Sequence, residues 1–274
     1  MELKIGLIQM KTVDSKEENL MKAEKMIKEA VGKGANFIVL PEMFNCPYET
    51  SNFIHYAEEE RGRTWGFLAK IAKENNIYLV GGSIPEIEGD KTYNTSYVFN
   101  NTGAQIAKHR KIHLFDIDVV GGQKFKESDT LTSGNDLAIF VTPFGKMAVI
   151  ICYDLRFPEL SRLLVQKGVK LIIVPASFNM TTGPLHWELL FRARAVDNQV
   201  YMIGAAGARN YDSSYIGYGN SLIVDPFGKI TDKLTEREEI LVTEIDIAQV
   251  EAIRNQIPVL KHLRHDLYEL IYKK

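Results

Sequence analysis

The 274-residue sequence predicts an α/β fold in which two mixed β-sheets carry helices on their outer faces. Three observations predict it. The first third alternates strand, helix and strand; three pairs of strand-like runs are joined by compact glycine turns; and no Pro/Ser-rich linker divides the chain. A single domain over residues 1–274 follows as the expectation, because one layered α/β domain can reach about 250 residues.

Lys4 to Met10 reads as a strand, and Glu17 to Val31 repeats apolar residues at Leu20, Ala23, Met26, Ile27, Ala30 and Val31 with helical spacing. Gly32 and Gly34 stop that helix. Ala35 to Leu40 is a short apolar run before Pro41, as expected of a strand buried on both faces. Trp65 to Ala72 and Ile77 to Val80 repeat the helix and buried-strand signals. Hairpins are expected at Asn101-Thr102-Gly103, at Pro143-Phe144-Gly145 and at Pro226 to Lys229, where proline presets φ and glycine accepts a positive value. Between the last two hairpins lie a helix from near Phe157, the strand LIIVPA, the helix LHWELLFRARAVDN and the strand VYMIGAA. Beyond about Ala248 charged and apolar residues mix without a clear period, so this segment is expected to be an arm packing on a partner subunit.

Composition narrows the function classes. Thirty-three basic against thirty-five acidic residues give a net charge of -2, which provides no field for nucleic acid or acidic lipid. No run approaches the roughly 20 apolar residues of a membrane span, and MELKIGLIQM lacks the long apolar core of a signal peptide. With only Cys46 and Cys152, neither in C-x-x-C spacing, a reducing cytoplasm is the expected location.

In layered α/β folds the residues just past the carboxyl ends of strands face the shared crevice. Glu42 follows FIVLP and Cys152 ends MAVIIC. A poorly solvated carboxylate is a plausible proton shuttle and a strand-terminal thiol a plausible nucleophile; a capping Glu and a buried structural Cys are the plain alternatives. Lys111, in the basic run Lys108 to Lys111, would stabilise a thiolate and an oxyanion if it pointed inward, held by Glu127. His109 and His113, four apart, would share one face of a helix as zinc ligands, but a third ligand at suitable spacing is missing. A Cys/His dyad using His113 or His186 stays open. Serine-elbow, Walker and dinucleotide motifs are absent from the sequence.

Taken together, PEMF at Pro41 to Phe44, HRKIHLFD at His109 to Asp116, ESD at Glu127 and ICYDLRFPEL at Ile151 to Leu160 closely resemble the nitrilase, or carbon-nitrogen hydrolase, superfamily. FNCPY, GGSIPE, IHLFDID, FNMTTGPLHWELL and RAVDNQVY resemble its ω-amidase branch, whose members hydrolyse the terminal amide of 2-oxoglutaramate or 2-oxosuccinamate. Two segments depart from the branch, VVGG after IHLFDID and ARNYDSSYIGYGNS around Arg209, and bear on substrate preference more than reaction type.

The resemblance implies a four-layer αββα sandwich with two mixed β-sheets, paired through helices into a homodimer or larger assembly. It maps the catalytic groups onto Glu42, Lys111, Cys152 and the auxiliary Glu127. Glu42 would act as base and then acid, Cys152 as nucleophile through a thioester, and Lys111 with the Tyr153 N–H would hold the oxyanion. Neither a metal nor an organic cofactor is implied. Branch-like segments place Tyr48, Tyr153, Phe178 and Thr181 at the small-molecule amide, with Arg156 and Arg209 as cation candidates; an Arg156 that anchors the following helix through an ion pair is an equal alternative, and Cys46 is read as structural. Rival readings are an amidase on deaminated glutathione, an N-carbamoyl amide hydrolase, a nitrilase, or a noncatalytic binding module.

Overall fold

The computed structural model describes residues 2–273; the ends of the expected 1–274 domain, Met1 and Lys274, lie outside the described residues. The chain runs β1 (Leu3–Gln9), α1 (Lys16–Gly32), β2 (Phe37–Val39), α2 (Thr50–Tyr56), α3 (Arg63–Glu74), β3 (Tyr78–Val80), β4 (Ile84–Glu88), β5 (Lys91–Phe99) and β6 (Gln105–Arg110). α1 begins where the Ser15 side chain accepts the Glu18 N–H at 3.2 Å. It ends before Gly34, whose φ of +94° suits glycine alone.

Continuing, β7 (Asp116–Asp118) and β8 (Lys124–Lys126) form a small separate hairpin. They are followed by β9 (Ala138–Thr142), β10 (Gly145–Val149), α4 (Pro158–Gln166), β11 (Leu171–Ala176), α5 (Gly183–Asn198), β12 (Tyr201–Ala206), β13 (Leu222–Val224), β14 (Ile230–Lys233), β15 (Glu239–Ile245) and α6 (Gln249–Gln256).

Two mixed sheets result. The first has the order β15-β1-β2-β3-β5-β4 with β6 on β5, and the second β14-β13-β12-β11-β10-β9. In each, the parallel strands β1-β2-β3 and β10-β11-β12 sit centrally and antiparallel neighbours flank them. The three expected hairpins are β5-β6, β9-β10 and β13-β14.

The strand period of two sorts side chains between layers. Ile5, Leu7, Phe37 and Val39 of the first sheet pack on Met147, Val149, Ile173 and Ile203 of the second. On the opposite faces Ile8, Ile38 and Leu79 meet α1 and α3, while Ile172, Val174 and Met202 meet α4 and α5. This is the αββα arrangement, and two-sided burial explains why the central strands read as continuous apolar runs. Gly6 marks a close helix-to-sheet approach, since a Cβ there would stand 3.2 Å from Ala30 Cβ of α1, and 2.5 Å from Ile38 Cδ1 of the neighbouring strand.

Some elements escape the sequence reading for identifiable reasons. α6 buries only Val250, so the segment past Ala248 carries no apolar stripe although it opens with a helix. The strands β7 and β8 are three residues each and largely exposed. β15 depends on long-range pairing with β1, Leu3 opposite Ile245 through Gln9 opposite Glu239.

Candidate active site

Glu42 follows β2, Lys111 follows β6, Glu127 opens a short 3₁₀ turn after β8, and Cys152 opens another after β10. The four side chains that the sequence singled out meet in the interior, all but 4% or less buried. The Lys111 ammonium lies 3.0 Å from Glu42 Oε1 and 2.9 Å from Glu127 Oε1. Glu42 Oε1 also accepts from Asn94 Nδ2 at 2.8 Å and lies 3.2 Å from the Tyr48 hydroxyl. Tyr48 donates to Glu127 Oε1 at 2.6 Å, and the Phe115 N–H donates to Glu127 Oε2 at 2.7 Å. Two donors, Lys111 and Asn94, thus load one oxygen edge of Glu42, and its Oε2 is buried without a hydrogen-bond partner among the described residues.

Electrostatics assign distinct states to these groups. Burial raises the Glu42 pKa above 4.5, with the Glu127 charge adding to it and Lys111 opposing. Burial disfavours the Lys111 ammonium, but Glu127 and Glu42 outweigh it and hold its pKa above the ordinary lysine value. Burial and the nearby Glu42 charge push the Cys152 thiol well up, with Lys111 and a backbone hydrogen bond from Ser177 pulling it down. Cys152 therefore rests as a thiol and needs a base to become a nucleophile. Its φ of +46° is a left-handed conformation rare for a side-chain-bearing residue.

A cavity of about 550 Å³ opens onto this cluster, lined by Glu42, Tyr48, Ser177 and Tyr215 and walled by loop residues that include Asp14, Asn210 and Ser214. Of the expected substrate-binding residues only Tyr48 lines it. Tyr153 packs edge-on against Phe115 and Phe157, Phe178 packs edge-on against Trp187, and Thr181 is half-buried near Gly122.

Arg156 is not anchored by an ion pair among the described residues. Its guanidinium lies over the Phe178 and Tyr153 rings, 4.9 and 5.6 Å from their centroids, and donates to His186 Nδ1 at 3.1 Å. Burial lowers the pKa of Arg156, as it must for a cation without a counter-ion. Arg209 instead donates to the carbonyls of Gly217 and Tyr218. Cys46 is fully buried and its thiol is pushed up by burial.

Histidine geometry differs from the helical reading. His109 is in β6 and His113 in the loop after it, and both donate to Asp154. Neither they nor His186 hydrogen-bonds Cys152 among the described residues, so no Cys/His dyad forms. Sequence reasoning missed Asn94 and Asp154. The available signal for Asn94 was a run of uncharged polar residues, Thr92 to Ser96, inside a strand otherwise rich in aromatic and aliphatic side chains.

A buried carboxylate, ammonium and thiol at the strand ends of an αββα sandwich define a class of enzyme that works through a cysteine. The model of the carbon-nitrogen hydrolase family matches residues 4–255, and the chain belongs to that family. It is 49% identical over 273 residues to the ω-amidase NIT2 of Xenopus tropicalis, covering 100% of this chain and 99% of that protein. With the human ω-amidase NIT2 it shares 46% over 271 residues, covering 99% and 98% of the two chains. The structure of Saccharomyces cerevisiae Nit3, a member of branch 10 of the nitrilase superfamily, superposes with a TM-score of 0.89 at 43% identity, covering 96% of this chain and 97% of that one.

Proposed function

We propose that this protein is an ω-amidase, hydrolysing the terminal amide of short dicarboxylic acid monoamides such as 2-oxoglutaramate and 2-oxosuccinamate to the acid and ammonia. The observation that carries the mechanism is the two-sided Glu42: Oε1 is held by Lys111 and Asn94 beside the Tyr48 hydroxyl, while Oε2 is free beside a thiol.

Glu42 takes the Cys152 proton as the sulfur attacks the amide carbon. The oxyanion is held by Lys111 and by the Tyr153 N–H, one of the first amides of a 3₁₀ turn and so without a partner inside that turn. Protonated Glu42 then gives its proton to the departing nitrogen, ammonia leaves, and a thioester remains on Cys152. Water attacks that thioester with Glu42 again as base; the second tetrahedral species expels the thiolate, which regains a proton, and the acid leaves. Glu127 fixes Lys111 and Tyr48 without moving the main proton.

Arg156 is the group proposed for the far carboxylate: it does not line the 550 Å³ cavity, but it is a half-buried guanidinium with no carboxylate partner among the described residues, and the Cys152 charge acts on its pKa. The chain acts as one domain, supported by a continuous inter-sheet core drawing on both halves of the sequence. It acts as a homodimer in the cytoplasm. Support for pairing comes from Leu185, Leu189 and Val196, three apolar residues of α5 left exposed; support for a reducing compartment comes from two free thiols.

Ammonia release from 2-oxoglutaramate, succinamate, glutamine, an N-carbamoyl amino acid and an aliphatic nitrile tests the reading, with Cys152→Ala as control. Turnover of the first two that the substitution abolishes supports it. Preferential turnover of the carbamoyl compound or nitrile replaces it with another branch of the family, and silence of the folded protein on all five overturns it.

A further inference from the structure

Residues 109, 111 and 113 alternate by two, the spacing that puts side chains of extended chain on one face. Lys111 goes to Glu42 and Glu127, but the two flanking histidines converge on a carboxylate from a different sheet, that of Asp154. Asp154 Oδ2 accepts from His109 Nε2 at 2.9 Å and from the Ile151 N–H at 3.1 Å. Its Oδ1 accepts from His113 Nδ1 at 2.8 Å and from the His113 N–H at 2.9 Å. Each oxygen therefore joins one imidazole and one backbone amide; three of the four donors come from the two histidines that flank Lys111 and the fourth from Ile151, just before Cys152.

We propose that Asp154, with His109 and His113, is a clamp that fixes the Cys152 turn against the Lys111 segment, making Asp154 a positioning residue for the reaction. Asp154 is two residues from Cys152, and the histidines are two residues to either side of Lys111, so the clamp spans the two groups whose separation decides oxyanion stabilisation. Left-handed backbone at a non-glycine residue persists where surrounding contacts over-determine it, and the Ile151-to-Asp154 bonds enclose Cys152. The buried Nδ1 of His109 has no hydrogen-bond partner among the described residues, so the ring is held through Nε2 alone. The His113 ring is pinned between that carboxylate and Phe157, stacked at 3.6 Å between centroids.

The inference rests on Cys152 being the nucleophile, and its test does not require the ω-amide assignment. Asp154→Asn, His113→Asn and the control Glu86→Gln are compared by melting temperature, by kcat and KM for the amide, and by the pH profile of Cys152 alkylation with iodoacetamide. Glu86 is a buried carboxylate tied to Lys108, Arg110 and Thr95 on the outer part of the first sheet, so its loss reports a purely structural role. Expected for the clamp variants are a fall in kcat of about 100-fold with KM within about threefold, and an alkylation profile displaced to higher pH. Glu86→Gln lowers the melting temperature and leaves both readouts in place. Folded clamp variants with a wild-type alkylation profile, or with activity lost only in proportion to unfolding, overturn the proposal. His113, being partly exposed, decides the matter if Asp154→Asn does not fold. The alkylation profile alone decides it if the native protein turns over no ω-amide.

Discussion

Glu42 meets Lys111 through one oxygen only: Oε1 lies 3.0 Å from the ammonium, and Oε2 has no hydrogen-bond partner among the described residues. A symmetric bidentate pairing would lower the carboxyl pKa and spend both oxygens. The one-sided pairing keeps the carboxylate close to a cation yet leaves a basic edge for the thiol, which is the requirement for a group that acts as base and acid in turn.

Replacing Glu42 by Gln separates function from stability. Burial holds the Glu42 pKa above 4.5 in the folded protein, so its stabilising contribution is full below that value and is lost as pH rises through the folded pKa. At pH 8 the charged carboxylate is a net burden on the fold. Glu42→Gln is therefore expected to abolish turnover and to melt higher than wild type at pH 8, by roughly 4 °C for each pH unit of displacement, with the gap closing toward pH 4. Melting curves at the two pH values check this; a lower melting point at pH 8 contradicts it.

The same displacement predicts the acid limb of the rate profile. Because Glu42 must be ionised to accept the thiol proton, kcat/KM is expected to rise with pH through a midpoint above 4.5. That midpoint belongs to the coupled Glu42, Lys111 and Cys152 cluster rather than to one residue. A pH-rate profile measured on a fully folded sample tests it, and a midpoint at or below 4.5 counts against Glu42 as the base.

How much of this was legible in the chain follows from what each element depends on. The central strands and α1 declare themselves because burial on two faces, or on one helical stripe, leaves a periodic signal within a few residues. β15 and α6 do not, since one is defined by pairing with β1 across the length of the chain and the other buries a single side chain. Glu42, Lys111, Glu127 and Cys152 were visible through local motifs and a family resemblance. Asn94 and Asp154 were not, because their contacts arise from neighbours brought together only by the fold. Of the four expected ligand contacts Tyr48 lines the cavity, with its hydroxyl donated to Glu127, while Tyr153, Phe178 and Thr181 lie outside that lining.

Among the described residues Lys111 is the single cation between the buried carboxylates of Glu42 and Glu127, so its removal strands like charges in a dry site. Lys111→Met is expected to destabilise the fold by about 3–5 kcal/mol, or about 10 °C in melting temperature. Adding Glu127→Gln removes one of the stranded charges and should recover part of that loss without restoring turnover. Thermal melts of the single and double variants measure the coupling, and simple additivity would show that the Lys111-to-Glu127 contact at 2.9 Å carries no interaction energy.

Arg156 separates recognition from chemistry. Its guanidinium stacks near Phe178 and Tyr153 and bonds a neutral acceptor, His186, whose own pKa is lowered by burial and then by the Arg156 charge. A half-buried cation with no anion beside it among the described residues is under-satisfied until a ligand brings one, and in the proposed reaction the far carboxylate of the ω-amide would carry that charge. Arg156→Met keeps the stem that packs on the rings and deletes the charge. It is expected to lower kcat/KM for 2-oxoglutaramate by about 100-fold or more, which is the scale of about 3 kcal/mol for a charge-assisted pair. A short neutral amide should be hydrolysed at nearly the wild-type rate, since Glu42, Lys111 and Cys152 are untouched. Equal losses on the charged and neutral amides would place Arg156 in the support of the site and leave the carboxylate to another group.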